Sequence, residues 1–220
     1  MIQWLLRWLF PPKCALCERL LEPEETDLCR ECRTHGPDCP VQRKKLPFLD
    51  SWTAVWYYEG NVRGSILRFK FQGATNYAQT YGRLLAMKLL EAHPEGFDVL
   101  TYVPVSSLRR FRRGYDQVEL VADAVAEELD MDVLPVLKKI RHNQPQSGIH
   151  GDAHRRANVS GAYQVTDVDA IKGKRILLLD DVITTGATLG ECARILLTAG
   201  ASEVHGAAVA AVRHSGKQSR

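Results

Sequence analysis

Two common nucleotide-binding signatures are missing from this chain of 220 residues. No G-x-x-x-x-G-K-[ST] occurs, which excludes an ordinary P-loop NTPase, and no G-x-G-x-x-G follows an apolar strand-like run, which disfavours a dinucleotide fold. Long apolar runs are lacking too. The N-terminal MIQWLLRWLF stops at Pro11 and Pro12, well short of the ~20 residues that a spanning helix needs. It has neither the basic start nor the small-residue cleavage site of a signal peptide. A short helix packed on the protein or on a partner is expected there, with Trp4 and Trp8 sharing one face. Peripheral membrane contact is not expected, and a cytoplasmic location is. An excess of one charge is also absent. The formal net charge is +3, too slight to announce a nucleic-acid binder, although a local cluster of Arg still matters. No internal repeat is evident. The 45% hydrophobic content is that of a globular chain able to hold one substantial domain and a smaller appendage.

Cysteine is scarce outside the N-terminus. Five of the six cysteines fall in the first forty residues, and four of them form Cys14-x2-Cys17 and Cys29-x2-Cys32 with eleven residues between the pairs. Each C-x-x-C turn sets two thiolates on one side of a tight loop, and two such loops close a tetrahedron around zinc. The metal substitutes for a core that so short a segment cannot build. Disulfides do not suit a reducing cytosol, and a redox pair lacks a thioredoxin-like setting. Four thiolates leave zinc no open position, so a structural or adhesive role is expected. His35 and Cys39 are alternative ligands, with Cys39 read as a spare thiol. Cys192 reads as a small core residue.

The run ILLLDDVITTGAT, Ile176 to Thr188, carries the most chemistry. Ile176 to Leu179 lack polar alternation and read as a strand covered on both faces, as in a parallel sheet. At its end, Asp180 and Asp181 can accept hydrogen bonds from vicinal ribose hydroxyls. The hydroxyls of Thr184, Thr185 and Thr188, the turn at Gly186 and the amides of a helix beginning near Ala187 together suit a phosphate. A purely structural strand, turn and helix is the alternative, since hydroxyl residues also cap helices.

Other segments are read more coarsely. Strands are expected over Trp52 to Tyr58, Val99 to Val105, Val133 to Leu137, Ala162 to Val165, Lys174 to Asp180 and Glu203 to Val212. Helices are expected over Val62 to Phe71, Tyr77 to Glu91 and Asp116 to Leu129, and after the Thr-rich loop to a C-cap at Gly200. SSLRRFRRGYDQ reads as a basic loop leaving a strand, with Arg109, Arg110, Arg112 and Arg113 before Gly114. It suits a diphosphate, with a solvated loop or a nucleic-acid backbone as alternatives, the ring of Phe111 being available for stacking. Arg141 to Tyr163 is a long polar loop of the kind that is functional or mobile.

Together, the cysteine knuckle, VPVSSLRRFRRGYDQ, Gln146 followed by RRAN from Arg155 to Asn158, and ILLLDDVITTGAT resemble the ComF family of competence proteins, in the family's order and over almost the whole chain. The resemblance implies an α/β type I phosphoribosyltransferase fold, a mostly parallel sheet flanked by helices, behind a zinc-ribbon-like domain. The domains would be 1–50 for the helix, knuckle and linker, 51–214 for the transferase-like part and 215–220 for a disordered tail. It also implies binding of phosphoribosyl diphosphate (PRPP) with Mg2+. Asp180 and Asp181 would hold the ribose, Thr184 to Thr188 the 5-phosphate, Arg113 with Gly114 the diphosphate, and Gln146 and Arg155 a flap. The implied role is in DNA uptake during natural transformation, through single-stranded DNA and a helicase-like partner. The alternative is an active transferase joining PRPP to a nitrogen base. Tyr115-Asp116 stand where the family commonly has Phe-Asn. The carboxylate near the diphosphate loop is unfavourable unless Asp116 caps the helix or meets magnesium.

Overall fold

The computed structural model describes residues 11–40, 46–140 and 161–213. Readings that fall on the N-terminal ten residues, on 42–45 of the 42–49 linker, on the flap with Gln146 and Arg155, and on the tail lie outside those residues.

Four parallel strands form the sheet. They are β1 (Ser51–Tyr57), β2 (Val99–Tyr102), β5 (Arg175–Ile183) and β6 (Glu203–Ala211), in the order β1-β6-β5-β2. A parallel bridge from Leu100 to Val133 extends the sheet beyond β2. A separate antiparallel pair joins β3 (Leu137–Lys139) to β4 (Tyr163–Val165). The helices are α1 (Arg30–His35), α2 (Gly60–Phe71), α3 (Tyr77–Ala92), α4 (Ser107–Arg113), α5 (Gln117–Leu129) and α6 (Ala187–Thr198).

The sheet is buried on both sides, as the unbroken apolar run of β5 requires. Leu177 and Leu179 point into a cluster with Ile66 and Phe69 of α2, Tyr81 and Leu85 of α3, and Val121 and Val125 of α5. Ile176 and Leu178 point to the other side, toward Leu189, Cys192 and Leu196 of α6 and toward Leu46, Leu49 and Trp52. Cys192 is fully buried there. The neighbouring strand β6 supplies small residues, Gly206, Ala207, Ala208, Ala210 and Ala211, and Leu49 and Leu189 fill the space above Gly206. Helices α3 and α5 cross closely at Gly82. A Cβ there would lie 2.4 Å from the Cβ of Ala124 and 2.7 Å from its carbonyl carbon, so only glycine fits.

Residues 11–40 dock against the α2–α3 side. Ala15, Leu16 and Leu28 share the core of α2 and α3. The Ser65 hydroxyl donates to the Ala15 carbonyl and the Arg68 guanidinium to the Leu16 carbonyl at 2.7 Å. Asp27 receives Thr80 and a two-pronged contact from Arg83. The segment after α1 then runs antiparallel along β1, with Tyr57 N donating to Pro37 O and Cys39 N to Val55 O. That covers the outer edge of the sheet, which would otherwise present unpaired backbone groups.

Three expectations need correction. The basic segment after β2 is not a loop but the seven-residue helix α4, closed by Gly114 in the left-handed conformation at φ 80°. Leu108 and the four arginines are good helix formers, and a glycine placed to terminate them completes the explanation. Strand β5 does not end at Asp180; it continues through Asp181 to Ile183, paired with β6 as far as Ala211. Helix α6 is capped at Ala199 rather than Gly200, with Gly200 the next residue at φ 106°.

Candidate functional site

The carboxyl end of β5 delivers the two acids and the hydroxyl-rich turn to one edge of the sheet. Asp180 and Asp181 are both largely buried, with the Asp181 side chain 13% exposed. Asp181 is held from two directions: Lys70 Nζ, from the end of α2, lies 2.8 Å from Oδ1, and Gln117 Nε2, from the start of α5, donates to Oδ2 at 2.8 Å. The Asp180 carboxylate accepts from the backbone N–H of Asp181 at 2.8 Å. Burial, and then the adjacent Asp181 charge, push the Asp180 carboxyl up to about 7. The pair is therefore asymmetric, with Asp181 tied to a cation and an amide and Asp180 close to taking a proton.

Beyond the strand, Thr184 is exposed while Thr185, Ala187 and Thr188 are half-buried. Gly186 caps α6 at φ 75°, and Thr185 Oγ1 accepts from Ala187 N at 3.3 Å. Leu46 packs so closely on Gly186 that a Cβ would meet its methyl at 2.7 Å. Pro47 and Phe48 form the opposite wall of a small cleft of about 160 Å3 over Thr185, Gly186, Ala187 and Glu191. The amides at the start of this twelve-residue helix and its dipole favour an anion.

Two sequence segments far apart in the chain meet here. Arg113 Nη1 donates to Gln117 Oε1 at 2.5 Å, and the same Gln117 amide holds Asp181. The Arg-rich helix and the acid pair thus form one hydrogen-bonded chain. The four arginines do not act as one patch. Arg110 pairs with Glu119 at 3.2 Å and lines a cleft of about 620 Å3 with Gly114, Lys138 and Lys139. Arg112 and Arg113 line another cleft, of about 740 Å3, with Lys70 and Tyr115. Arg109 lies in the first turn of α4, ahead of both groups in sequence. Phe111, 87% exposed, stands on the first cleft.

Asp116 resolves as a cap. Its buried carboxylate accepts from Val118 N at 2.9 Å and Glu119 N at 3.3 Å, and with its other oxygen from Val105 N at 3.0 Å. Burial raises its pKa and these three N–H groups oppose the rise. The aspartate joins the exit of β2 to the start of α5.

The second cluster is sulfur. Ligand atoms of Cys14, Cys17, Cys29 and Cys32 all lie within 4.8 Å of one another, a group able to hold a metal ion. Cys17 Sγ is 3.6 Å from Cys29 Sγ. Sulfurs on a tetrahedron with ~2.3 Å bonds sit somewhat under 4 Å apart, so the donor set fits zinc. Burial pushes the Cys14 thiol up, but N–H groups of Cys17, Cys29 and Leu16 outweigh it and bring it to about 7. Burial and the neighbouring thiols raise Cys32. His35 is exposed and faces Glu31 at 3.4 Å, and Cys39 is buried on the far side of the sheet core. Neither belongs to the cluster.

Lys70 and Gln117 went unread in the sequence. Both are single polar residues in helical patterns, and only the fold places them on Asp181. A lysine near the end of an otherwise amphipathic α2 was the available signal, and it was weak.

Residues 119–220 match the model of the Phosphoribosyl transferase domain. The parallel sheet flanked by helices is that of a type I phosphoribosyltransferase, and the N-terminal cysteine cluster fits a zinc-ribbon-like domain. The chain is 28% identical over 204 residues to competence protein F of Haemophilus influenzae, covering 87% of this chain and 86% of that one. It is 27% identical over 201 residues to DNA utilization protein YhgH of Escherichia coli K12, with the same coverage. It is 27% identical over 211 residues to competence protein ComFC of Bacillus subtilis, covering 90% and 85%. Among solved structures, glutamine PRPP amidotransferase from B. subtilis is similar at 26% identity and a TM-score of 0.39, over 59% of this chain and 25% of that one. No helix among the described residues is long and apolar enough to cross a membrane.

Proposed function

We propose, for a chain that is a homologue of competence protein F, YhgH and ComFC and carries a phosphoribosyl transferase domain, that it binds PRPP at the carboxyl end of β5 and supports DNA uptake in the cytoplasm. The observation that carries this reading is the convergence of Asp181, Lys70, Gln117 and Arg113 beside the Thr184–Thr188 turn. In this reading Asp180 and Asp181 accept hydrogen bonds from the ribose hydroxyls, and Lys70 with Gln117 fixes the Asp181 carboxylate for that task. The turn hydroxyls and the first amides of α6 receive the 5-phosphate. Arg113 and Gly114 lie toward the diphosphate, whose counter-ion is Mg2+, and Gln146 and Arg155 serve as the flap. Zinc on the four cysteines holds residues 1–50 as a module against the 51–214 domain.

The DNA side of the proposal places single-stranded DNA along α4, on Arg109, Arg110, Arg112 and Arg113, and gives the protein a helicase-like partner. Similarity to competence and DNA utilization proteins, together with the exposed Arg110 and Arg112 of α4, supports it. Such binding weakens steeply as salt rises.

Titration of PRPP with and without Mg2+ tests the pocket. Asp181→Ala should weaken binding by about tenfold or more, equivalent to ~1.4 kcal/mol or above. Thr184→Ala, at an exposed position, controls for folding and should lose several-fold. Equal weak binding by all three proteins overturns the assignment. Release of diphosphate with a panel of nitrogen bases decides whether transfer accompanies binding.

A further inference from the structure

The cleft between α2 and α4 has a composition that neither PRPP nor a bare DNA backbone explains. Its volume is about 740 Å3, within the range of ~300–1,000 Å3 usual for small-molecule sites. Three aromatic rings, Tyr58, Phe71 and Tyr115, and three cations, Lys70, Arg112 and Arg113, line it, and no carboxylate among the described residues does. Lys70 is paired with Asp181. Arg112 is exposed and forms no ion pair among the described residues. Arg113 lies over the Phe71 ring at 4.8 Å from its centroid.

The walls are fixed in advance. The Tyr115 hydroxyl donates to the Phe69 carbonyl, which ties the residue after α4 to the last turn of α2. The Phe69 and Tyr115 rings pack at 6.3 Å behind it. Phe71 nevertheless stands 66% exposed at the mouth. An open phenyl beside an open guanidinium asks for a ligand that is both flat and negatively charged. An inorganic anion would leave the rings in water, and an uncharged apolar group would bury the arginine charge without a partner. A ring with an acidic substituent satisfies both, by stacking on the aromatic wall and by a two-pronged contact to guanidinium.

We propose that the cleft of Tyr58, Lys70, Phe71, Arg112, Arg113 and Tyr115 binds a heteroaromatic ring bearing an anionic group, a carboxylate or a phosphate. Through the Lys70–Asp181 pair the cleft adjoins the acid assigned above to the ribose, so the ring sits next to the PRPP pocket. That adjacency rests on the PRPP reading, whereas the ring site itself does not.

Calorimetric titration of the full chain at low salt with orotate, quinolinate, AMP, uracil and adenine tests it. The anionic rings should bind at least ~10-fold more tightly than the uncharged ones. Phe71→Ala should weaken the anionic rings by ~5-fold or more while Phe71→Tyr keeps them within ~2-fold of wild type, the range expected for one stacking contact. Arg112→Gln should erase the preference for anions. Carboxylate and phosphate ligands are separated by comparing orotate with AMP. PRPP titrated into Phe71→Ala should match wild type. Ring binding without PRPP binding would overturn the earlier reading alone. PRPP binding with no ring sensitive to Phe71 would overturn this one. It would also be overturned if oligothymidylate, and no free ring, lost affinity in Phe71→Ala, since the cleft would then be a groove for DNA.

Discussion

The cysteine knuckle and the acid site at the end of β5 are built on opposite plans. All four thiols come from nineteen consecutive residues, Cys14 to Cys32, and two tight turns bring them together. Asp181 instead receives its partners from positions 70 and 117, on α2 and α5. A thiol cluster able to hold a metal ion can thus be specified by local spacing, while the partners of Asp181 come together only once the sheet has formed. The two are not independent, however. Ala15, Leu16 and Leu28 belong to the same core as Ile66, Phe69 and Tyr81, and α2 carries Lys70 from that core to the acid pair.

The largest test breaks the knuckle. Cys29→Ser should remove the bound metal equivalent, measured by elemental analysis, and lower Tm by ~10 °C or more, since structural zinc contributes folding energy outright and ~1 kcal/mol moves Tm by a few degrees at this size. If the metal is lost and Tm does not move, the two regions are energetically separate. Next comes Lys70→Ala. It leaves a largely buried Asp181 without its cation, which costs ~3–5 kcal/mol in comparable pairs, while metal content stays at wild-type level. Loss of metal in that variant would show that the acid site also organises the knuckle.

Tyr81→Phe probes the joint between them. Its hydroxyl bonds Ser65, which in turn donates to Ala15 O; losing one such buried bond costs ~1 kcal/mol by chemical unfolding. The pH dependence of Asp180 follows from its direction of shift. Its folded pKa, about 7, lies above the ordinary 3.8, so the stability tied to its proton is complete below pH ~4 and lost as pH rises through ~7. Asp180→Asn should therefore match wild type at pH 4 and exceed its Tm by on the order of a few degrees at pH 8. An equal difference at both pH values would contradict the assignment. The smallest effect belongs to Arg83→Ala, whose exposed contact with Asp27 is worth under ~1 kcal/mol.

Much of the fold was legible. The apolar run of β5 required a strand covered on both faces, and α2, α3, α5 and α6 lie where their periodicity put them. The basic segment was misread because arginines suggest solvent and anions, whereas Leu108 and Gly114 were the helix signals. For Asp116 the sequence left a helix cap and a magnesium contact open, and its three backbone N–H partners match the cap.

Sequence alone determined the knuckle, the buried strand and the hydroxyl-rich turn, because each depends on residues close along the chain whose spacing matches one local geometry. Tertiary structure decided that Asp181 is paired and Asp180 desolvated, that the arginines divide between two clefts, and that Phe71 faces Arg112 and Arg113 across one of them. Those outcomes follow from which helix packs on which strand. Charge pairing and burial act through space, over distances that chain order does not encode.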